Sequence, residues 1–475
     1  MKFIDREAEL EELERVQKLA ERGLFVSLIF GPRRVGKTEL VKQFEKNKKY
    51  LHFFVYEGKT EAAIKMEFER ELKEKKVLKH EVEFSDLDAL VRFIFKECTG
   101  HVVVFDEVQY MRNIYPAFFS VLQHEIDENQ ETPLHLVFLG SVVGLIKKIF
   151  EDLKSPLYGR VKSTIHVKPF NYGQARLFLK SLGYKKEEDF VKFYSIFGGF
   201  PKYYVAIDDY AMNGKDFLEV LKFFFFRENA PFREEVQSIL RQEFGRGKSH
   251  YYSILEAIST GHTKLSEISS YMKSVPTAIT PFVSDLLDYY EIIEKVQRAG
   301  DRKGRKSVYL IKSPLFRFWF RYVYPNIGWF ERGEYGRVVN EIKNTLNSFV
   351  GVGFERVCVE ALRELDGRGE LPMKFENIGP YWGKRRKNGG REEFEIDAVA
   401  LNERTADIMF CEFKWREKVD ARKVLAELRE KAGFVDWRVG RRREHYAVFA
   451  KSFREKIKEP GLLLVDLGDL KRIFR

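Results

Sequence analysis

Residues 5–22, DREAELEELERVQKLAER, space their apolar side chains three and four apart, which predicts an amphipathic helix. LFVSLIF follows, an apolar run short enough for a buried strand, and it stops at Gly31. The pattern then returns to helical spacing in TELVKQFEKN (38–47). LHFFVY (51–56), HVVVFDEV (101–108) and LHLVFLGS (134–141) read as further strands, the last two with polar residues at their C-terminal ends. Continuous apolar strands alternating with helical segments predict a parallel sheet covered on both faces. Residues 166–245 lose the strand pattern, and Phe-rich stretches such as LKFFFFREN read as aromatic helix core.

Over 251–311 the pattern is two short helices, a third helix (PTAITPFVSDLLDYY), then strand, basic turn and strand (EIIEKVQRAGDRKGRKSVYLI). That order is a helix-turn-helix followed by a β-hairpin wing. Residues 312–345 read as connecting helix and loop, with Pro314 and Pro325 as breakers. From about 346 a helix (FVGVGFERVCVEALREL) precedes strands, a helix and a last strand.

At roughly 150 residues per domain, 475 residues suggest about three domains. The hydrophobic fraction of 44% supports real cores, and the net charge of +11 is modest for this length, so where cations cluster matters more than their sum. Cys98, Cys358 and Cys411 have no metal-site spacing, which argues against a disulfide framework and fits a reducing compartment. No apolar run reaches the ~18 residues of a membrane span, and MKFIDREAEL lacks a signal-peptide core, so a soluble cytoplasmic protein is expected.

GPRRVGKT, residues 31–38, matches GxxxxGK[ST] between a strand and a helix. Gly31, Pro32, Arg33, Arg34, Val35 and Gly36 would turn backbone N–H groups toward phosphate oxygens. Lys37 should reach the β/γ-phosphates, and the Thr38 hydroxyl should bind Mg²⁺. Asp106, at a strand end, is placed to hold Mg²⁺ through water, and Glu107 to polarise the attacking water. Ser141 is a candidate γ-phosphate sensor, and Arg160 in PLYGRVK is either an arginine finger or a surface salt bridge.

FIDREAEL, GPRRVGKT, VFDEVQ, FLGS, LYGR and GGFPKYY together resemble the archaeal ATPase family, a branch of the AAA+/STAND P-loop NTPases. The resemblance covers the first 245 residues. It implies ATP/ADP as ligand and an ATPase-core role for Arg160, and it sets Gly198–Pro201 near the adenine, with a helix-breaking turn as the alternative. In such families the lid and winged helix close over the nucleotide.

The turn of the hairpin carries Arg298, Arg302, Lys303, Arg305 and Lys306 against Asp301 alone, which suits DNA phosphate contacts. The alternative is a winged helix used only for packing. In EEFEIDAVALNERTADIMFCEFKW (392–415), alternation turns Glu412 and Lys414 to one face. A hairpin about NERT would set Asp397 beside Glu412, two hard oxygen ligands suited to Mg²⁺ or Mn²⁺, with Lys414 to serve the water and Glu355 on the preceding helix as a further ligand. GKRRKNGGR (383–391) adds cations nearby. EID and EFK after a Glu-bearing helix resemble the PD-(D/E)XK nuclease superfamily, with Ile396 where the motif's name has proline.

The expectation is an α/β multidomain chain: a parallel-sheet P-loop NTPase core (1–165), helical lid (166–245), winged helix (246–312), helical linker (313–345) and restriction-endonuclease-like domain (346–475). ATP, Mg²⁺ and DNA are the expected partners, with a homo-oligomer or partner protein left open. The competing expectation is a nucleotide-switched regulator or scaffold whose last domain is inactive.

Overall fold

The computed structural model describes residues 4–79, 82–244, 249–301, 307–387 and 390–475, with backbone alone at 386, 387, 390 and 391. It divides into two compact units. The first comprises residues 1–169, 200–202 and 288–291, and the remainder forms the second.

The first unit is built on β1 (Leu24–Phe30), β2 (Tyr50–Phe54), β3 (Val102–Asp106), β4 (Leu134–Gly140) and β5 (Ser163–His166), in the order β2-β3-β4-β1-β5. Every pairing is parallel. The expected parallel sheet is therefore present; its central strands β3 and β4 are buried along their whole length, whereas the outer strands β2 and β5 alternate between buried and more exposed positions. Leu51, Phe53, Phe105 and Phe138 lie in one buried cluster, and Ile29, Val102, Val137 and Leu139 in another. All C-terminal strand ends share one edge, which gathers the loops after β1, β3 and β4.

In the second unit the aromatic helices Tyr172–Ser181 and Glu187–Phe197 pack with the C-terminal part of the chain. The Tyr194 hydroxyl donates to Glu360 (2.8 Å), and the Arg176 guanidinium donates to the Phe474 carbonyl (2.8 Å). Most of the segment expected as a lid on the ATPase thus belongs to this unit. No boundary falls at 345/346 either, since a 33-residue helix, Tyr335–Gly367, runs through it. Its buried stripe, from Val338 through Phe354 to Leu365, is continuous, so apolar spacing carries the helix across the expected junction.

Helices Ser249–Ser259, Leu265–Tyr271 and Pro276–Ser284 precede an antiparallel hairpin of β6 (Ile293–Gln297) and β7 (Ser307–Ile311), in the expected order. A mixed sheet follows: β8 (Asn377–Lys387), β9 (Gly390–Asn402), β10 (Asp407–Lys414), β12 (Arg443–Ala450) and β14 (Leu462–Val465), ordered β14-β12-β10-β9-β8. The short strands β11 (Val419–Asp420) and β13 (Phe453–Glu455) pair beside it.

β9 is not regular. Its pairing with β8 shifts register between Gly379 and Tyr381, so Asp397 and Ala398 together oppose Pro380. This β-bulge reverses the alternation, and Phe394 and Ile396 before it share one core with Val399 and Leu401 after it. No helix among the described residues is long and apolar enough to cross a membrane.

Candidate nucleotide site and acidic cluster

β1 delivers the chain to Gly31, where a Cβ would collide with the Val167 carbonyl oxygen. Arg34 and Gly36 take left-handed conformations, and helix Lys37–Glu45 starts directly after them. The loop thus aims backbone donors and a helix N-terminus at one point. Val35 anchors it in the core with Leu40 and Val41, and Arg33 donates to the Tyr110 hydroxyl (2.7 Å). The Lys37 ammonium donates to the Gly31 and Pro32 carbonyls (2.9 and 3.1 Å).

Thr38 Oγ1 donates to Asp106 Oδ2 at 3.1 Å, joining the two positions expected to hold Mg²⁺. Asp106 ends β3 and is 1% exposed. Glu107 follows at φ 56°, and its Oε2 accepts from the Ser141 hydroxyl (2.6 Å) and the Gln109 amide. Ser141 therefore orients Glu107 rather than standing free. Pro201 opens helix Pro201–Asp209, and the preceding Phe200 packs on the cluster containing Val35 and Leu40.

Arg160 is not brought to this edge. It precedes β5, at the opposite end of the parallel strands, and grips Asp127 with both arms (2.9 and 2.6 Å). The Asp127 carboxylate holds its pKa above the usual value. In its own chain Arg160 is a salt bridge, because the turn LYGR enters β5 from below.

Two site residues escaped the sequence reading. Arg6, itself left-handed at φ 82°, donates to the Lys168 carbonyl (2.6 Å) and the Val35 carbonyl of the loop (3.4 Å). His52 on β2 joins Asp106 (3.4 Å) and Glu45 (2.8 Å). Burial disfavours the charged imidazole, but those two carboxylates outweigh it and raise the pKa to about 9. A lone His in an aromatic strand gave no signal; only strand order sets it beside β3.

In the second unit, β9 and β10 pair antiparallel up to Ala398 and Cys411, which sets Asp397 next to Glu412 as the hairpin required. Asp397 Oδ2 accepts the Phe413 N–H (2.6 Å). Glu412, 5% exposed, accepts from Lys414 (2.5 Å) and from Lys431 with both oxygens (3.0 and 3.1 Å). Lys431, on helix Ala421–Ala432, was not foreseen. Burial first, then the Glu412 charge, raises Asp397 to about 6. Burial and the Asp397 charge raise Glu355 to about 8. Burial opposes the Lys414 charge, but Glu412 raises its pKa overall.

Among the described residues no group of three or more His, Cys, Asp or Glu is gathered to hold a metal. Glu355 feels the Asp397 charge across this cluster. Asp397 and Glu412 are the adjacent pair, and two carboxylates suit Mg²⁺, which takes one or two protein carboxylates and keeps water.

Arg298 is turned away from solvent duty as well. Its guanidinium lies over the Tyr381 ring (4.7 Å) and donates to the Trp382 carbonyl (3.3 Å), while Ala299 N–H donates to the Pro380 carbonyl (2.9 Å). The hairpin is thereby docked on β8. Arg302, Lys303, Arg305 and Lys306 lie outside the described residues.

Residues 3–207 match a family described as an ATPase domain predominantly from Archaea. Residues 319–424 match a family of archaeal and bacterial proteins of unknown function. An uncharacterized protein of Methanocaldococcus jannaschii is 28% identical over 471 residues, 98% of this chain and 99% of its own. An uncharacterized ATP-binding protein of the same organism is 49% identical over 47 residues, 10% of this chain and 76% of its own. The Walker-type ATPase of Pyrococcus abyssi superposes with a TM-score of 0.53 at 21% identity, covering 67% of this chain and 96% of that one, a likeness of fold.

Proposed function

We infer that the chain, whose first unit is an archaeal-type ATPase domain, couples ATP hydrolysis to the handling of DNA. The hydrogen bond from Thr38 to Asp106 is the observation that carries the hydrolytic half. Those groups would hold Mg²⁺, which when bound neutralises charge on the β- and γ-phosphate oxygens. Lys37 exchanges its loop carbonyls for phosphate oxygens. Glu107, oriented by Ser141, polarises the attacking water at the γ-phosphorus.

For the second unit, the order of three helices and a hairpin supports a winged helix, with the basic tip at 302–306 meeting DNA phosphates. Asp397 in a β-bulge, Glu412 beside it and Lys414 on the same face support a PD-(D/E)XK-type phosphodiesterase centre. Asp397 and Glu412 would hold Mg²⁺ or Mn²⁺, and Lys414 would orient the water and neutralise developing charge. One observation favours the regulator reading instead: Lys414 and Lys431 already satisfy Glu412, as in a structural ion cluster.

Cleavage of linear, supercoiled and branched DNA with Mg²⁺, with and without ATP, tests the second unit. Metal-dependent cutting abolished by Asp397→Ala, Glu412→Ala and Lys414→Ala is the expected result. No cutting on any substrate by wild type establishes the regulator reading, and cutting that survives all three substitutions removes the cluster from the chemistry.

A further inference from the structure

Beside the phosphate loop, within the first unit, lies a recess of about 510 Å³ that shares Thr38, Glu45 and His52 with the site described above. One wall is the side of helix Lys37–Glu45, from Thr38 to Lys42 and on to Lys46. The other is β2, the outermost strand of the sheet. Alternation along β2 turns Tyr50, His52 and Phe54 into the recess, and Tyr56 continues the row. Lys75, just past helix Glu61–Glu74, closes a third side.

The charges in this recess do not cancel. Its two acids are already engaged by His52: Glu45 bonds the imidazole (2.8 Å), and Glu71 accepts the backbone N–H (3.1 Å). Lys42, Lys46 and Lys75 add three cations around it, with Lys46 donating to Gln43 Oε1 (2.6 Å) and the Lys75 ammonium over the Tyr50 ring (3.5 Å). Phe54 and Tyr56 are 38% and 44% exposed, their rings tilted with centroids 4.7 Å apart, and the Lys59 ammonium lies over the Tyr56 ring (4.3 Å). Exposed aromatic faces rimmed by ammonium groups suit a base that stacks and a phosphate that needs neutralising. Pockets of roughly 300–1,000 Å³ take groups of drug size, and this one falls in the range of a single nucleotide rather than a duplex.

We propose that this recess binds a second nucleotide unit, separate from the ATP on the phosphate loop. The base stacks on Phe54 and Tyr56, and Lys42 and Lys75 take the phosphate. The unit is either a free mononucleotide or one residue of a single strand, since both present the same chemistry.

The test uses the full chain with its phosphate loop saturated by Mg²⁺ and a non-hydrolysable ATP analogue. Fluorescein-labelled dT10 is titrated by anisotropy, and dTMP by calorimetry. The variants are Lys42→Ala with Lys75→Ala, and Phe54→Ala with Tyr56→Ala. Unchanged affinity for the ATP analogue shows that they fold, and Lys42→Gln with Lys75→Gln replaces the first pair where it does not. Each pair is expected to weaken dT10 by about tenfold or more. The lysine pair also flattens the slope of log K against log[salt] by about 0.7 per lost contact, whereas the aromatic pair leaves it unchanged. Equal losses for dTMP, with dT10 no tighter than dTMP, assign the recess to free nucleotide. Wild type that binds neither probe, or binding that neither pair weakens, overturns the proposal.

Discussion

Lys37 holds two carbonyls of its own loop, and phosphate oxygens have to replace both. Removing this ammonium deletes a charge-assisted contact of about 1.5–3 kcal/mol, so Lys37→Ala should weaken ATP by roughly tenfold to a hundredfold. Glu107→Gln keeps an acceptor for Ser141 but loses the charge that polarises water. It should bind ATP normally and hydrolyse it ~10²–10⁴-fold more slowly. Fluorescent-nucleotide titration and phosphate release check the pair, and wild-type turnover in both would show that hydrolysis occurs elsewhere. His135 makes a different prediction. It is 0% exposed, hydrogen-bonded to Ser27 Oγ (2.8 Å) and Gln17 Oε1 (2.9 Å). Burial, helped by the Lys48 charge, lowers its pKa from 6.5 to about 4. The unfolded chain takes up the proton first, so the neutral form's stability is complete above pH 6.5 and is lost as pH falls toward 4. At about 1.4 kcal/mol per pH unit the loss is on the order of 3 kcal/mol. Urea denaturation between pH 7 and 4 should show that slope in wild type and a shallower one in His135→Gln.

At the scale of elements, legibility followed periodicity. β1, β3 and β4 were readable because strands buried on both faces are mostly apolar, with only Ser27 and His135 interrupting β1 and β4, and the phosphate loop because its glycines sit at a fixed spacing. Pairing of Asp397 with Glu412 followed from a hairpin with a short turn. What periodicity does not encode was missed. The bulge at Asp397 and Ala398 breaks the period of two that the reading relied on. His52, Arg6 and Lys431 reach their sites through neighbours distant in sequence. Of the two readings of Arg160, its own chain shows the salt bridge, with Asp127; residue type says nothing about which end of a strand a turn enters. Arg298 was read with the hairpin's basic turn as a phosphate contact, yet its guanidinium lies on Tyr381 and donates to the Trp382 carbonyl. Cation–π and hydrogen-bond contributions of about 1 kcal/mol each predict that Arg298→Ala destabilises the second unit by roughly 1–2 kcal/mol. It should leave the salt dependence of DNA binding unaltered, since this guanidinium faces protein. A flattened slope in filter-binding or anisotropy data would return Arg298 to the phosphates.

At the scale of the whole molecule, the chain folds as two compact units. Ligand on the phosphate loop stabilises the fold it touches by about 2.7 kcal/mol at a hundred times Kd. Hydrogen exchange with Mg²⁺ and the ATP analogue should therefore slow in β1, β3 and helix Lys37–Glu45, while the five-stranded mixed sheet exchanges as before. Slowing of equal size in β9 and β10 would mean that the units share one cooperative fold. The helix Tyr335–Gly367 settles how the chain can be dissected. Excision at residue 346 would amputate its first three turns. The remnant would also lose what the aromatic helices supply: the Tyr194 hydroxyl and Tyr172 N–H on Glu360, the close seat of Gly353 against Ser195, and the Arg176 bond to the Phe474 carbonyl. A fragment of 346–475 should accordingly aggregate on expression, whereas one starting at 170 should remain monodisperse by size-exclusion chromatography. For this protein, the smallest heritable piece that can carry the acidic cluster is the entire second unit, and recombination that shuffles the last 130 residues alone would deliver an orphaned sheet.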